Sequence, residues 1–379
     1  MMDYAQLALE LHKKYKGKIQ TSLRDVPDSK DKLSAYYSPG VGAVSSYVAA
    51  HPDELRDYSW TNNLVAIISD GSAVLGLGDI GPYGAMPVME GKAMLFKHFA
   101  DIDAVPIVLD VHEPDEIIAA ITAIAPSFGA INLEDISAPK CFAIEDTLKN
   151  KLRIPIMHDD QHGTAIVVLA GLINATKLAG KALDSCRITV VGAGAAGTAV
   201  VKLIKSYAHG VKITLVDSKG IITSSRNDLN EEKKALLHTV DFDPGAGNLE
   251  EAIKDADIFI GVSKAGLLQE SHVKSMADKP IIFALANPNP EITPDDAHAA
   301  GAFIVATGRS DFPNQINNAL AFPGIFRGAL DNGVSAITEE HKLAAAEAIA
   351  SLVVAPSQQE IIPSILDDRL VGTVARVIH

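Results

Sequence analysis

Acidic side chains follow three short apolar segments in the first half of the chain, at points where buried strands are expected to end. They are Asp70, the pair Glu134 and Asp135, and the pair Asp159 and Asp160. Ligands gather at the carboxyl ends of strands in open α/β sheets, so we expect these side chains to lie near one another. Two acidic pairs provide an all-oxygen site, which suits a hard cation. The sequence therefore predicts that these carboxylates bind Mg²⁺ or Mn²⁺.

The same residues also have simpler interpretations. The second pair would serve as the cap of a helix that begins near Gly163, and the first pair as solvated loop residues. His158 and His162 flank the second pair and suggest zinc instead. A zinc site needs further nitrogen or sulfur donors, and none stands at a suitable spacing in the sequence. A hard cation is therefore favoured over zinc.

A glycine pattern in the second half predicts a nucleotide site. It follows the strand-like segment Ile188-Thr-Val-Val and consists of Gly192, Ala193, Gly194, Ala195, Ala196 and Gly197. Gly192 permits a tight turn, Gly194 lets the backbone approach a pyrophosphate, and Gly197 lets the next helix pack against the strand. Free amides at the N-terminus of that helix would bind the phosphates. Glycines also mark ordinary turns, but strand, turn and helix together favour a dinucleotide site.

An acidic residue at the end of the next strand supports this prediction. Asp217 stands 20 residues beyond Gly197, where a carboxylate that binds the adenosine ribose is expected. A carboxylate facing the 2′-hydroxyl favours NAD over NADP. Lys219 or Arg226 would instead accept the 2′-phosphate of NADP, so NADP stays open as an alternative.

Alternating strands and helices must position these residues. In the first half, strands are predicted at 64–69, 104–109, 129–133 and 154–157, with helices at 92–100, 115–125 and 138–150. An apolar helix is predicted at 164–178, followed by strands at 187–191, 211–216, 258–262, 280–286 and 302–306. Such alternation indicates an α/β fold with parallel, doubly wound sheets. We predict an N-terminal α/β substrate and metal domain over 1–160, then a Rossmann-type NAD-binding domain over 161–379 with C-terminal helices.

Composition and charge exclude several classes of protein. The 379 residues include 33 Lys and Arg against 47 Asp and Glu, which argues against a partner such as nucleic acid or an anionic membrane. The longest apolar stretch, residues 164–175, is too short to span a bilayer, which needs about 20 residues. The N-terminus lacks the apolar core of a signal peptide. Cys141 and Cys186 are expected to be buried thiols in a reducing compartment, so we expect a cytoplasmic protein.

Several further short motifs lie along nearly the whole chain. Beside the glycine pattern, they are Tyr37-Ser-Pro-Gly-Val-Gly42, Asp70-Gly71, Leu75-Gly-Leu-Gly-Asp79-Ile-Gly81, Gly91-Lys92-Ala93, Glu134-Asp135, His158-Asp-Asp-Gln-His-Gly-Thr-Ala165, Ala286-Asn287-Pro288 and Asn317-Asn318-Ala-Leu-Ala-Phe-Pro-Gly324. These motifs occur in the order found in malic enzymes, and the sequence resembles the small prokaryotic members of this family. Several independent motifs make the resemblance specific. It implies oxidative decarboxylation of (S)-malate to pyruvate and CO₂ with reduction of NAD(P), and decarboxylation of oxaloacetate as a related activity.

The resemblance implies that Lys92 is the general base, that Tyr37 is the general acid, and that Asp159 pairs with the base. Malate would bind the cation through its C1 carboxylate and C2 hydroxyl, and Lys92 would take the hydroxyl proton as hydride passes to the nicotinamide. After loss of the C4 carboxylate, Tyr37 would protonate C3. A lysine needs a lowered pKa for this task, and we expect burial near a cation to lower it. Without the resemblance, Tyr37 would be interpreted as packing beside a turn, and Lys92 as a solvated helix residue.

The resemblance also implies how substrate, cofactor and metal are bound. Asn287 and Asn318 match asparagines that hold the substrate and the nicotinamide. At the position of Ala73, larger members of the family carry an arginine that binds a malate carboxylate. Small members of the family resemble this chain at that position. The residues that match the metal ligands are Glu134, Asp135 and Asp160.

A homodimer is expected, with an interface lined by the first 50 or so residues, because the helix near the N-terminus has an apolar face and the family commonly dimerises.

Malolactic chemistry, in which the cofactor stays bound and lactate leaves, is the nearest alternative to the implied reaction. A dinucleotide-binding sensor without activity would lack the acid, base or metal ligands. A metal-independent hydroxy-acid dehydrogenase would leave the acidic pairs unexplained.

Overall fold

Two β-sheets built mainly from parallel strands organise the chain, and helices pack against both. The computed structural model describes residues 4–74, 77–240 and 245–379, so Leu75 and Gly76 of the expected motif lie outside the described residues. The predicted α/β class with a Rossmann-type second sheet is confirmed.

The first sheet has four parallel strands in the order β2-β1-β3-β4. Its elements are α1 (Tyr4–Tyr15), α2 (Lys30–Tyr36), α3 (Val41–Ala50), α4 (Leu55–Tyr58), β1 (Leu64–Ser69), α5 (Gly81–Ala100), β2 (Asp103–Val108), α6 (Pro114–Ile124), β3 (Ala130–Leu133), α7 (Lys140–Lys151) and β4 (Ile156–His158). The helix predicted at 92–100 is wrong at its start, because α5 begins at Gly81. Pro82 is tolerated in the first turn, whereas Pro87 inside the helix hides its pattern in the sequence.

Among the described residues, the second sheet has six strands in the order β10-β9-β8-β5-β6-β7, of which β7 alone is antiparallel. Its elements are α8 (Asp159–Ala179), β5 (Arg187–Val191), α9 (Ala195–Tyr207), β6 (Lys212–Asp217), β7 (Gly220–Ile221), α10 (Glu231–Val240), α11 (Leu249–Ile253), β8 (Ile258–Gly261), α12 (Glu270–Ser275), β9 (Ile281–Ala284), α13 (Pro294–Ala299), β10 (Ile304–Thr307), α14 (Phe322–Asn332), α15 (Glu339–Ser351) and α16 (Leu370–Ala375). This is the doubly wound order of dinucleotide-binding folds, with the short β7 in the place of one outer parallel strand.

Helix α8 lies in the core that the two halves share. It packs in one apolar cluster with side chains of both sheets, such as Ile67 of β1 and Ile188 of β5. By length and composition it is the one helix of the described chain that qualifies as a membrane span, but 72% of that stretch is buried inside the protein. It is therefore a core helix.

The start of α8 differs from the predicted start at residue 164, since the helix begins at Asp159. Asp159 and Asp160 consequently lie in its first turn and do not cap it from outside. Negative charge in the first turn is stabilised by the helix dipole, which permits two adjacent carboxylates here. The sheet and the helix together fix both side chains next to the end of β4.

The first three helices contribute no buried residue. The segment 4–50 nevertheless carries many exposed large apolar side chains. We call five of them, spread along this segment, the N-terminal apolar surface: Leu9, Leu23, Val26, Leu33 and Tyr37. Exposed apolar side chains are typical of surfaces that another protein covers when they form one patch.

Candidate active site

A buried lysine and two buried carboxylates meet at the carboxyl end of the first sheet. The Nζ atom of Lys92 lies 2.6 Å from Oδ2 of Asp159 and 2.8 Å from Oε1 of Glu134. None of the three side chains is more than 8% exposed. The structure thus brings together three residues that the family resemblance identified.

Four elements carry this cluster. Glu134 follows β3, Asp159 opens α8 after β4, and Lys92 lies in the middle of α5. The ring of Phe322, the first residue of α14, has its centroid 4.3 Å from Nζ of Lys92. The face of an aromatic ring attracts a cation, so Phe322 helps to hold the ammonium group in place. Phe322 was assigned no role from the sequence, because an apolar residue inside a motif resembles ordinary core.

Asn318 lies next to the same cluster. A Cβ atom at Gly163 would lie 1.9 Å from Oδ1 of Asp159 and 3.0 Å from Cβ of Asn318. Only a glycine in α8 therefore leaves room for both side chains. This contact places the predicted substrate-binding asparagine beside the predicted partner of the base.

Burial and neighbouring charges set the protonation of the cluster. Burial alone would lower the pKa of Lys92, but the charges of Asp159, Glu134 and Asp160 outweigh it and raise that pKa. Burial raises the pKa of Asp159 to about 6, although Lys92 acts against this shift. Burial and Asp160 raise the pKa of Glu134. The carboxylates around the amine thus raise the lysine pKa in this arrangement, and the lowered pKa expected beside a bound cation stays a prediction.

The predicted metal ligands lie close together, and two of them make contacts within the protein. Oδ2 of Asp160 accepts a hydrogen bond from the backbone amide of Asp135 at 2.7 Å, while Glu134 pairs with Lys92. Among residues 4–74, 77–240 and 245–379, no three His, Cys, Asp or Glu side chains form a metal-binding group. The donor chemistry still fits a hard cation, because neighbouring carboxylates with raised pKa values are stabilised by added positive charge.

Two other predicted residues differ from this cluster in exposure or in partner. Tyr37, at the end of α2, is 71% exposed, whereas Lys92 is buried. Asp70 is buried after β1, as its position predicts, but its carboxylate pairs with Lys140 and accepts a hydrogen bond from Ser72. Asp70 therefore has a structural partner of its own and does not join Lys92.

The glycine pattern forms a cradle between β5 and α9. Gly192 has a φ of 114°, and a Cβ atom there would lie 2.6 Å from the carbonyl oxygen of Val262. A Cβ atom at Gly197 would lie 1.7 Å from the carbonyl oxygen of Gly192, so both positions require glycine. Nothing lies within 4 Å of a Cβ atom at Gly194. That open side, beside the uncapped N-terminus of α9, fits a pyrophosphate.

Asp217 ends β6 as predicted, and two cationic side chains hold it. Its Oδ1 atom accepts a hydrogen bond from Arg226 at 2.8 Å, and its Oδ2 atom accepts one from Lys233 at 2.6 Å. Burial opposes the shift, but these bonds lower the pKa of Asp217 to about 2. Lys219 instead pairs with Asp228. Lys233 went unrecognised in the sequence, because only the position of α10 brings it to this carboxylate.

Asn287 lies in the loop after β9, which a buried glutamate holds. A Cβ atom at Gly308 would lie 3.1 Å from Nδ2 of Asn287. The carboxylate of Glu291 accepts hydrogen bonds from the backbone amides of Ser263 and Ala286, both at 3.0 Å. Glu291 thereby joins the ends of β8 and β9 next to Asn287. No local sequence pattern indicates this role.

The fold and the site define a nucleotide-dependent oxidoreductase: a doubly wound sheet carries the glycine cradle, and the other sheet carries a buried lysine among carboxylates. Family comparisons agree. The chain matches the malic enzyme N-terminal domain over residues 16–149 and the malic enzyme NAD-binding domain over residues 161–376. The chain therefore belongs to the malic enzyme family.

Known members are similar along nearly the whole chain. The bifunctional malic/malolactic enzyme of Bacillus subtilis is 51% identical over 100% of this chain and 92% of its own length. The NADP-dependent malic enzyme of Halomonas elongata is 46% identical over 94% of this chain and 84% of its own. The crystal structure of the NAD-dependent malic enzyme from Thermotoga maritima matches with a TM-score of 0.94, at 49% identity over 98% of each chain.

The predicted family, fold class and enzyme class are thereby confirmed: the chain is an oxidoreductase of the NAD- or NADP-dependent, malate-decarboxylating kind. Its cofactor is a nicotinamide nucleotide. The roles of individual site residues stay predictions.

Proposed function

We propose that this chain oxidises and decarboxylates (S)-malate to pyruvate and CO₂, with Lys92 as general base and Tyr37 as general acid. The observation that carries the proposal is the Lys92 amine held by Asp159 and Glu134 at the end of the first sheet. A hydroxy acid needs a base at its C2 hydroxyl, and a buried amine between carboxylates is a fixed proton acceptor once it is neutral.

Asp159 and Asn318 orient the reaction. Asp159 holds the amine through its hydrogen bond, and Asn318 is close enough to Asp159 to donate to a substrate carboxylate bound there. Lys92 then takes the hydroxyl proton. When bound to Glu134, Asp135 and Asp160, Mg²⁺ or Mn²⁺ would acidify the malate hydroxyl and offset the charge that raises the pKa of Lys92.

Tyr37 delivers a proton to C3 in this proposal, and it does so in a homodimer. Its side chain is exposed in the single chain and belongs to the N-terminal apolar surface. A second copy seated on that surface would bury these side chains and exclude water from the phenol, as a buried proton donor requires. The homodimer is thus part of the proposed active enzyme.

NAD is the proposed cofactor, with NADP accepted less well. The cradle from Gly192 to Gly197 would hold the pyrophosphate, and Asp217 would accept a hydrogen bond from the ribose 2′-hydroxyl. The bound nicotinamide supplies the hydride acceptor. Arg226 and Lys233 neutralise Asp217 in this chain, which makes a 2′-phosphate tolerable beside it. Asn287 would bind the nicotinamide end of the cofactor.

A cytoplasmic location is proposed from the state of the two cysteines. Cys141 and Cys186 are both free thiols and buried. Proteins of reducing compartments keep thiols in this state.

Product analysis tests the proposed reaction against the malolactic alternative. The protein is incubated with (S)-malate, NAD and Mn²⁺, and NADH, pyruvate and lactate are each measured. Equal amounts of NADH and pyruvate are expected. Lactate without release of NADH would replace the proposal with malolactic chemistry.

A further inference from the structure

A second buried network adjoins the first turn of α8 and includes none of the proposed catalytic residues. At its centre is Glu145 on α7, which is 3% exposed. Its Oε1 atom accepts a hydrogen bond from the backbone amide of His158 at 2.9 Å and forms an ion pair with Nζ of Lys149 at 2.7 Å. Its Oε2 atom lies 2.8 Å from Nε2 of His162. Glu145 therefore contacts the end of β4 and the first turn of α8, on the two sides of Asp159 and Asp160.

The other ring nitrogen of His162 identifies the tautomer. Nδ1 of His162 lies 3.0 Å from Nζ of Lys342, which belongs to α15 near the C-terminus. A lysine ammonium group has donors only, so Nδ1 must accept this hydrogen bond. The ring proton then resides on Nε2 and is donated to Glu145. Lys342, His162 and Glu145 thus form one directed chain of hydrogen bonds across α15, α8 and α7.

We propose that Lys342 and Glu145 are positioning residues, which fix His162 in its Nε2–H tautomer and so hold Asp159 and Asp160 in place against Lys92. Glu145 binds His158, directly before the two aspartates, and His162, directly after the same turn. A shift of this turn would move both carboxylates together. The inference rests on the proposed function, because it assumes that these aspartates serve base and metal.

Lys342 gives this network a link to the second half of the chain. Helix α15 packs along α8, and the lysine is the side chain through which it reaches the active-site turn. Groups that orient ligand residues typically contribute about 10- to 100-fold to activity or metal affinity. A loss of that size, without loss of the fold, separates positioning from plain stability.

The test combines nitrogen NMR with kinetics on the full-length protein. Histidines are labelled with ¹⁵N, and the His162 signals are assigned by comparison with His162→Gln. The wild type should show His162 as the Nε2–H tautomer, and Lys342→Met should lose that preference. Lys342→Met should also lower kcat for malate about tenfold or more, with KM changed about threefold or less. Lys342→Arg, which keeps a donor, should recover much of the loss.

Lys149→Met is the matched control. It also removes a cation next to Glu145, but it does not touch His162. It should leave the tautomer and kcat unchanged. If the His162 ring of the wild type carries its proton on Nδ1, that result alone overturns the proposal. So does an unchanged kcat in Lys342→Met, or an equal loss in Lys149→Met. If the wild type lacks malate oxidation, the proposed function fails, while the tautomer measurement still tests the network.

Discussion

The amine of Lys92 and the carboxylate of Asp159 are 2.6 Å apart although 67 residues separate them in the chain. Both are buried, and each comes from a different helix. This pair joins α5 to the first turn of α8 and sets the geometry of the proposed base.

Removing the lysine should destabilise the protein. Lys92→Met leaves Glu134, Asp159 and Asp160 close together without their cation, and breaking a buried pair typically costs about 3–5 kcal/mol. We expect a loss of about 3 kcal/mol in the free energy of unfolding, measured by urea denaturation. Added Mn²⁺ should restore part of it. Lys97→Met is the control, because that lysine is 54% exposed on the same helix and its ion pairs should contribute little. Equal losses in the two variants would contradict this account.

Protons should compete with the metal. Burial raises the pKa of Asp160 to about 6, against the opposing effect of Lys92. A raised carboxyl pKa means that this ligand takes up a proton as the pH falls through about 6, and the protonated form binds metal poorly. Mn²⁺ affinity measured by calorimetry should therefore fall about tenfold between about pH 7 and about pH 5. Asp135→Asn should weaken Mn²⁺ binding at both pH values. Affinity that is independent of pH and of Asp135 would remove the carboxylates from the metal site.

Cofactor choice should depend on Asp217. NAD should exceed NADP in kcat/KM, and Asp217→Ala should reduce the ratio of the two kcat/KM values about tenfold, since the hydrogen bond to the ribose 2′-hydroxyl is lost. Lys234→Ala, which changes the exposed neighbour of Lys233 on the same helix, should leave the ratio alone. A wild-type preference for NADP would show that Arg226 and Lys233 determine the choice instead.

The N-terminal apolar surface should mediate dimerisation. Light scattering at micromolar concentration should give the mass of a dimer, and Leu9→Lys combined with Leu23→Asp should shift it toward the monomer. The matched control is Val354→Asp, because Val354 is 86% exposed but lies outside this surface. A monomer mass for the wild type would rule out the dimer and, with it, the proposed burial of Tyr37.

Local sequence patterns were enough to predict the parallel strands of both sheets, but not the two-residue antiparallel strand β7. Buried parallel strands such as residues 64–69 and 187–191 are short apolar runs, which a sequence displays directly. The start of α5 was missed because glycine and proline occur throughout its first half. The start of α8 was missed because Asp159 and Asp160 resemble a cap.

The site was predictable only in part, because several of its contacts depend on tertiary packing. The motifs identified Lys92, Glu134 and Asp159 as a set. Nothing in the sequence places Phe322 over the amine, since that contact depends on how α14 packs against α5. The contact between Lys342 and His162 likewise joins residues 180 positions apart.

Reduction of supplied oxaloacetate by NADH separates the proposed role of Lys92 from that of Tyr37. That partial reaction needs the proton exchange at the C2 oxygen assigned to Lys92, but no proton at C3. Positioned acid and base groups typically contribute about 10²- to 10⁴-fold, so the losses should be large. Lys92→Ala should abolish the reduction, whereas Tyr37→Phe should retain it and instead be slow in converting enolpyruvate to pyruvate. Loss of oxaloacetate reduction in Tyr37→Phe together with its survival in Lys92→Ala would contradict the account.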